Sequence, residues 1–223
     1  LLKYLVSRRG APVSREVLMD VLWPGDAPTV LGNRLSVALS TVRRALDPGR
    51  RLDPRDLLAA TVDTVQLRLD VVEVDVEHFL DGGRGALALR AVDPDGAAQR
   101  ARALLDRHRG EALPDEPHAE WAVALRDEVR AMTVALARVV ADSARQRGQL
   151  TVAADAHRRV LDVDPYDEQA HQGLIEAFDA VGAHGQAEAA RARYRSMMAE
   201  LGVRPTERWS RATPAGPHPS AAG

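Results

Sequence analysis

Near its C-terminal end the chain repeats itself at an interval of 34 residues. Val140 recurs as Leu174, Ala144 as Phe178, Gly148 as Gly182, Ala153 as Ala187, Ala156 as Ala190 and Val160 as Tyr194. A fixed period of this length marks stacked helix pairs. The small residues let antiparallel helices approach closely, and each glycine frees the turn between them. A single pair buries its apolar side only by stacking on neighbours. The chain from residue 98 onward is therefore expected to be a helical array, with helices over 98–109, 118–147, 149–163, 167–181 and 184–201. Breaks fall at Gly110, Pro114 to Pro117, Gly148, Asp164-Pro165, Gly182 and Gly202. The tail after Trp209 is rich in Pro, Ala and Gly and reads as disordered.

The first 70 residues follow a different pattern. Leu1, Leu2, Leu5 and Val6 have helical spacing, and the run ends at Arg9-Gly10. Ala11-Pro12-Val13 is short and extended. Ser14 is a good N-cap for a helix from Arg15 to Trp23, with Val17, Leu18, Val21 and Leu22 inward. After a loop from Pro24 to Pro28, Thr29 is placed to cap a longer helix ending near Leu46. Its inward stripe is Leu31, Leu35, Leu39, Val42 and Leu46, and Asp47-Pro48-Gly49 stops it. Leu57 to Thr61 and Val65 to Leu69 flank Val62-Asp63-Thr64 and read as a hairpin with one face solvated. Residues 71–97 read as a linker with one short helix around Val76 to Leu80, broken by Gly82-Gly83 and by Asp93 to Gly96.

Composition narrows the chemistry. There is no cysteine, which excludes disulfides and thiolate metal sites. No stretch approaches the roughly 18 uncharged apolar residues of a membrane span, and Leu1 to Val6 runs straight into Arg8-Arg9 without a secretory pattern. A cytoplasmic protein is expected. The net charge of −2 is unevenly placed: residues 1–70 hold 11 Lys and Arg against 8 Asp and Glu, and the rest hold 19 against 24. Only the first part could tolerate a polyanion.

Three functional readings compete. The first is DNA recognition by helix 29–46. With its leucines inward, the outer face carries Asn33, Arg34, Val37, Ser40, Thr41 and Arg44. A helix fits the major groove, where Arg grips guanine, Asn pairs with adenine, and Val or Thr methyls meet the thymine methyl. Hydroxyls bond phosphates. The plain alternative is an amphipathic helix with a solvated arginine face. The second reading is the repeat region as a surface for a partner or a second copy. The third is a metal or catalytic site. His78, His108, His118, His157, His171, His184 and His218 form no metal-ligating spacing and read as surface residues. Asp93 with Asp95 and Asp115 with Glu116 sit in loops and suit solvation or capping better than acid–base work. Gly82-Gly83-Arg84-Gly85 lacks the lysine of a phosphate loop. Gly25, Gly32 and Gly49 read as scattered breakers. No enzyme, metal or cofactor is expected.

The N-terminal motifs are Arg9 through Glu16, Leu22-Trp23-Pro24, Asn33-Arg34-Leu35 through Arg43-Arg44-Ala45-Leu46, and the hairpin. The later ones are Glu120-Trp121, Arg147-Gly148, Leu161 through Pro165, and Glu200 through Pro205. Together they resemble the SARP (Streptomyces antibiotic regulatory protein) regulators. In these, an OmpR-type winged helix precedes a bacterial transcriptional activator domain, and the 34-residue period is that of tetratricopeptide repeats. The resemblance implies a mainly α fold. It places a partial winged helix over 1–70, a linker with a short helix over 71–97, a tetratricopeptide-like activator domain over 98–209, and a tail over 210–223.

The resemblance also implies a function: activation of transcription through promoter DNA, with recruitment of RNA polymerase and a possible homodimer on direct repeats. Helix 29–46 would be the recognition helix, with Asn33, Arg34, Val37, Ala38 and Thr41 facing the groove and Arg43 and Arg44 near phosphates. The hairpin would be the wing, reaching the minor groove through Thr64, Gln66 or Arg68. The loop from Pro24 to Pro28 sits where relatives can meet the polymerase. Two departures stand out. The wing carries Thr64-Val65 where relatives usually have Gly-Tyr, and the chain opens in what would be the first helix, so the N-terminal four-stranded sheet is expected to be lacking. Apolar surface on that helix and on the hairpin is then expected to be uncovered. The alternative function is a helical-repeat interaction adaptor with a degenerate, non-binding winged helix.

Overall fold

The computed structural model describes residues 1–108 and 110–206. The chain divides into two compact units, Leu1–Leu136 and Ala137–Gly223. The first holds α1 (Leu2–Ser7), β1 (Val13–Ser14), α2 (Arg15–Leu22), α3 (Pro28–Leu46), α4 (Pro54–Leu57), β2 (Leu58–Ala60), β3 (Thr64–Leu67), α5 (Asp75–Leu89), α6 (Pro94–Arg107) and a 3-10 turn at Glu120–Ala122. It ends within α7 (Val123–Gln146). The second unit takes up the rest of α7, then α8 (Leu150–Val163), α9 (Glu168–Ala180) and α10 (His184–Glu200).

In the first unit, Leu5, Leu18, Leu35, Leu58, Val65 and Leu67 are fully buried and form the core of the winged-helix part. The hairpin is real, with Leu58 opposite Leu67 and Ala60 opposite Val65. It is joined by a third strand: β1 pairs with β3, Val13 opposite Val65, which makes the sheet order β1-β3-β2. The short extended segment expected at Ala11-Pro12-Val13 thus ends as a strand, whose partner two residues of sequence could not announce. Ser14 caps α2 as expected, its Oγ accepting the Val17 N–H at 3.1 Å. The inward face of α2 is narrower than expected. Leu18 is buried and Leu22 half-buried, while Val17 and Val21 are exposed. Helix α3 starts at Pro28 with Ala27 at the N-cap, so Thr29 lies in its first turn and is not the cap.

Most of the segment expected to be a linker, 71–97, is the 15-residue helix α5, and its end is the first turn of α6, the helix expected over 98–109. Gly82 and Gly83 mark close approach, not breaks. A Cβ on Gly83 would stand 2.4 Å from Met132 Sδ, and one on Gly82 would stand 2.9 Å from Leu104 Cδ2. Asp93 caps α6 by accepting the Gly96 N–H at 2.9 Å, so Asp93 to Gly96 opens a helix and does not interrupt one. The apolar surface expected to be uncovered on α1 and on the strands of the hairpin is covered, with Leu58, Val65 and Leu67 buried. Tyr4 and Leu5 are buried, and the Tyr4 ring meets Trp121 edge-on at 5.4 Å. Trp121 itself is half-buried.

In the second unit every paired position of the repeat is used alike. Val140, Ala144, Ala153, Ala156 and Val160 are buried, as are Leu174, Phe178, Ala187, Ala190 and Tyr194. Gly148 and Gly182 adopt φ of 68° and 75°, the left-handed region that glycine enters without strain. The turns repeat in their hydrogen bonds too. Gln149 N–H donates to the Ala144 carbonyl at 2.8 Å, and Ala183 N–H donates to the Phe178 carbonyl at 2.9 Å, the closure of a Schellman motif. The tail after Trp209, and His218 within it, lie outside the described residues.

Of the described histidines, His78, His118 and His184 are exposed as expected, and three depart from expectation. His171 is buried and donates from Nε2 to the Pro165 carbonyl at 2.8 Å, while His108 and His157 are half-buried. Burial lowers the pKa of both His157 and His171.

Candidate nucleic-acid interface

Helix α3 presents two faces of opposite character. Leu31, Leu35 and Leu39 are buried, one turn apart. The opposite side exposes Gly32, Asn33, Arg34, Ser36, Val37, Ser40, Thr41 and Arg44. Val37 is 66% exposed, an apolar side chain held in water amid polar neighbours. Ala38 is half-buried at the edge. Thr41 donates its hydroxyl hydrogen to the Val37 carbonyl at 3.0 Å, which leaves its methyl and an acceptor lone pair outward. Arg43 and Arg44 lie in the last turn, where cations suit the helix dipole.

The charged residues divide by their partners. Arg34 is ion-paired with Asp26 of the preceding loop, both side chains about half exposed. The two residues lie eight positions apart across the loop from Pro24 to Pro28, a separation that no helical spacing announces. Arg43 turns inward, and its guanidinium donates to the carbonyls of Pro54 at 3.1 Å and Leu58 at 3.0 Å. It braces the end of α3 against α4 and β2, where the resemblance had placed it near phosphates. Arg44 makes no hydrogen bond or ion pair among the described residues.

The wing is similarly committed. Gln66 Nε2 donates to the Gly10 carbonyl at 2.7 Å and so ties the sheet to the turn after α1. Arg68 makes two bonds to Asp70, at 2.9 and 2.6 Å, which hold the Asp70 carboxyl below its usual range. The Thr64 hydroxyl is 3.0 Å from that of Thr61. The exposed tip is instead Val62-Asp63, with Val62 90% exposed. α3 therefore brings together Asn33, Arg34, Val37, Thr41 and Arg44 on one outer face, while Gln66 and Arg68 are bonded within the protein. Among the described residues, no three His, Cys, Asp or Glu side chains gather as a metal cage, and no helix is long and apolar enough to cross a membrane.

The family described as bacterial transcriptional activator domain matches residues 74–213. The chain belongs to this family. The description "transcriptional regulatory protein, C terminal" matches residues 1–61, so this activator-domain protein carries the two parts of a SARP-type regulator in their usual order. The activator-domain match begins one residue before α5. Among solved structures, Mycobacterium tuberculosis EmbR, determined in complex with a low-affinity phosphopeptide, superposes with a TM-score of 0.69 at 24% identity. The superposition covers 92% of this chain and 55% of EmbR. The chain thus spans about half of EmbR, and the likeness is one of fold. The C-terminal TPR-containing domain of an FK506-binding protein from Plasmodium falciparum gives a TM-score of 0.41 at 15% identity, over 57% of this chain and 91% of that one. The comparison with curated proteins gives no match.

Proposed function

We propose that this SARP-type protein activates transcription in the cytoplasm by binding promoter DNA through α3 and engaging RNA polymerase. The observation that carries this reading is the outer face of α3. Asn33, Arg34, Val37, Thr41 and Arg44 offer donors, an acceptor, methyls and cations on a helix whose leucines anchor it to the core. Those are the groups that distinguish base edges in the major groove. The wing contributes shape and its Val62 tip more than base contacts, because Gln66 and Arg68 already have partners. The repeat unit supplies a surface for the polymerase or for a second copy on direct repeats. The test is binding of the chain to promoter DNA across a salt series. Arg34→Ala with Arg44→Ala should weaken binding and reduce the salt slope by about one to two. Unchanged affinity and slope would remove α3 from the interface.

The adaptor reading retains one observation. Between α8, α9 and α10 lies a cleft of about 380 Å³, lined by Arg158, Leu174, Phe178 and Arg193 among others. Arg158 sits 5.0 Å over the Phe178 ring. Retained capture of RNA polymerase by a chain that has lost all DNA binding would favour that reading.

A further inference from the structure

Where the winged-helix part meets the activator domain lies a cleft that neither the resemblance nor the comparisons assign. It holds about 560 Å³, within the range of small-ligand sites. All of its walls belong to the first unit: α1, α5, α6, the loop at 111–115 and the start of α7. Its apolar lining is Val6, Val76, Phe79, Leu104 and Leu125, with Ala112 and Leu113 of the loop. The His108 ring stacks on Phe79 at 4.2 Å and holds that wall in place. The charged side chains around the cleft are mostly committed. Lys3 bonds Asp115 at 3.5 Å and Glu116 at 3.1 Å, and Glu111 is ion-paired with Arg130 of α7. Asp75 accepts the Val76 N–H at 2.8 Å in the first turn of α5, where the helix dipole favours a carboxylate. Arg107 is the exception. It stands exposed in the last turn of α6 and makes no side-chain hydrogen bond or ion pair among the described residues. Leu113 holds φ of 55°, a left-handed conformation uncommon for a residue with a Cβ.

We propose that this cleft binds a small amphipathic carboxylic acid, its apolar body against Val6, Val76, Leu104 and Leu125 and its carboxylate on the Arg107 guanidinium. A guanidinium offers a carboxylate two parallel N–H donors, so Arg107 supplies orientation as well as charge. The charge balance selects an anion. Glu111 and Asp115 are matched by cations and Asp75 by a helix start, whereas the Arg107 charge is unpaired among the described residues. Lys3 and Val6 belong to the winged-helix part and the other walls to the activator domain, so one bound acid touches both. The site does not depend on α3 being a DNA helix.

The experiment is calorimetric titration of the full chain with two probes, octanoate and naphthaleneacetate, each beside its uncharged amide. At least one acid should bind once per chain, about tenfold more tightly than its amide, the difference expected of a charge-assisted hydrogen-bonded pair. Arg107→Gln should weaken that acid by about tenfold and leave the amide unchanged. Arg107→Lys keeps the charge and should retain most of the affinity. Arg107 is exposed, so both variants should melt as wild type does. No binding of either acid at millimolar concentration overturns the site. Equal binding of acid and amide overturns the anion, and acid binding unchanged in Arg107→Gln overturns the place. Each of these results leaves the reading of α3 standing.

Discussion

The repeat unit and the winged-helix part solve the same packing problem with different materials. In the repeats, small and apolar side chains at matched positions are buried, and the turns at Gly148 and Gly182 close with the same backbone bond. In the winged-helix part, polar side chains carry much of the framing. Arg43 ties α3 to α4 and β2, Gln66 ties β3 to the turn after α1, and Arg9 bonds Glu77 with two contacts at 2.7 Å and Glu128 with one at 2.6 Å. The lesson is that an apolar residue's role follows from its spacing, whereas an arginine's role follows from whichever acceptor lies nearby. A surface cation becomes a candidate for DNA only after its internal partners are accounted for.

The sharpest way to break this contrast is at Tyr194. It is fully buried, its hydroxyl donates to Glu168 at 2.6 Å, and it accepts the Thr206 N–H at 2.9 Å. Tyr194→Ala should cost about 3–5 kcal/mol in urea unfolding. Val160→Ala, at the matched position, should cost less because it removes less buried volume and no hydrogen bond. Equal costs would show that the two repeats are not energetically distinct at this position.

A smaller effect is expected where helices α8 and α9 touch. A Cβ on Gly173 would meet the His157 ring, with Nε2 at 2.2 Å. Gly173→Ala should therefore destabilise by about 1–3 kcal/mol through overpacking. A neutral or stabilising result would mean that the ring moves aside freely.

These positions also show what could be read in advance. The 34-residue period located the repeat helices and their turns, because one period constrains every matched pair at once. The leucine stripe of α3 and the hairpin were legible for the same reason. The full length of α5 was not, since Gly82-Gly83 looks like a break until Met132 and Leu104 are seen against it. Within the candidate interface, Asn33, Val37 and Thr41 emerge exposed as their spacing implied. The internal partners of Arg43, Gln66 and Arg68 were not legible, because they are carbonyls and a carboxylate that no side-chain pattern announces.

Acidity offers a test confined to the repeat unit. Burial holds His157 and His171 below the ordinary 6.5. Their folded pKa values lie under the unfolded ones, so the stability they contribute is complete above about pH 6.5 and is lost as pH falls through the depressed values. Melting temperature should be level from about pH 8 to 7 and decline below about 6.5. In His157→Gln with His171→Gln that decline should be shallower, even if the starting value is lower. An identical decline would assign it to carboxylates instead.

The gentlest probe is Gly32, which stands inside α3 on the exposed face and is not a breaker. A Cβ there would meet nothing within 4 Å, so no packing inside the protein requires glycine. Gly32→Ala should raise helix stability by about 0.5–1 kcal/mol, the opposite sign from Gly173→Ala. If α3 enters a groove, the same methyl lies between the helix backbone and the DNA beside Asn33. Binding should then weaken while melting temperature rises. A variant that is more stable and binds DNA as tightly as wild type would show that the duplex does not approach this turn, and would move the reading surface toward Val37, Thr41 and Arg44.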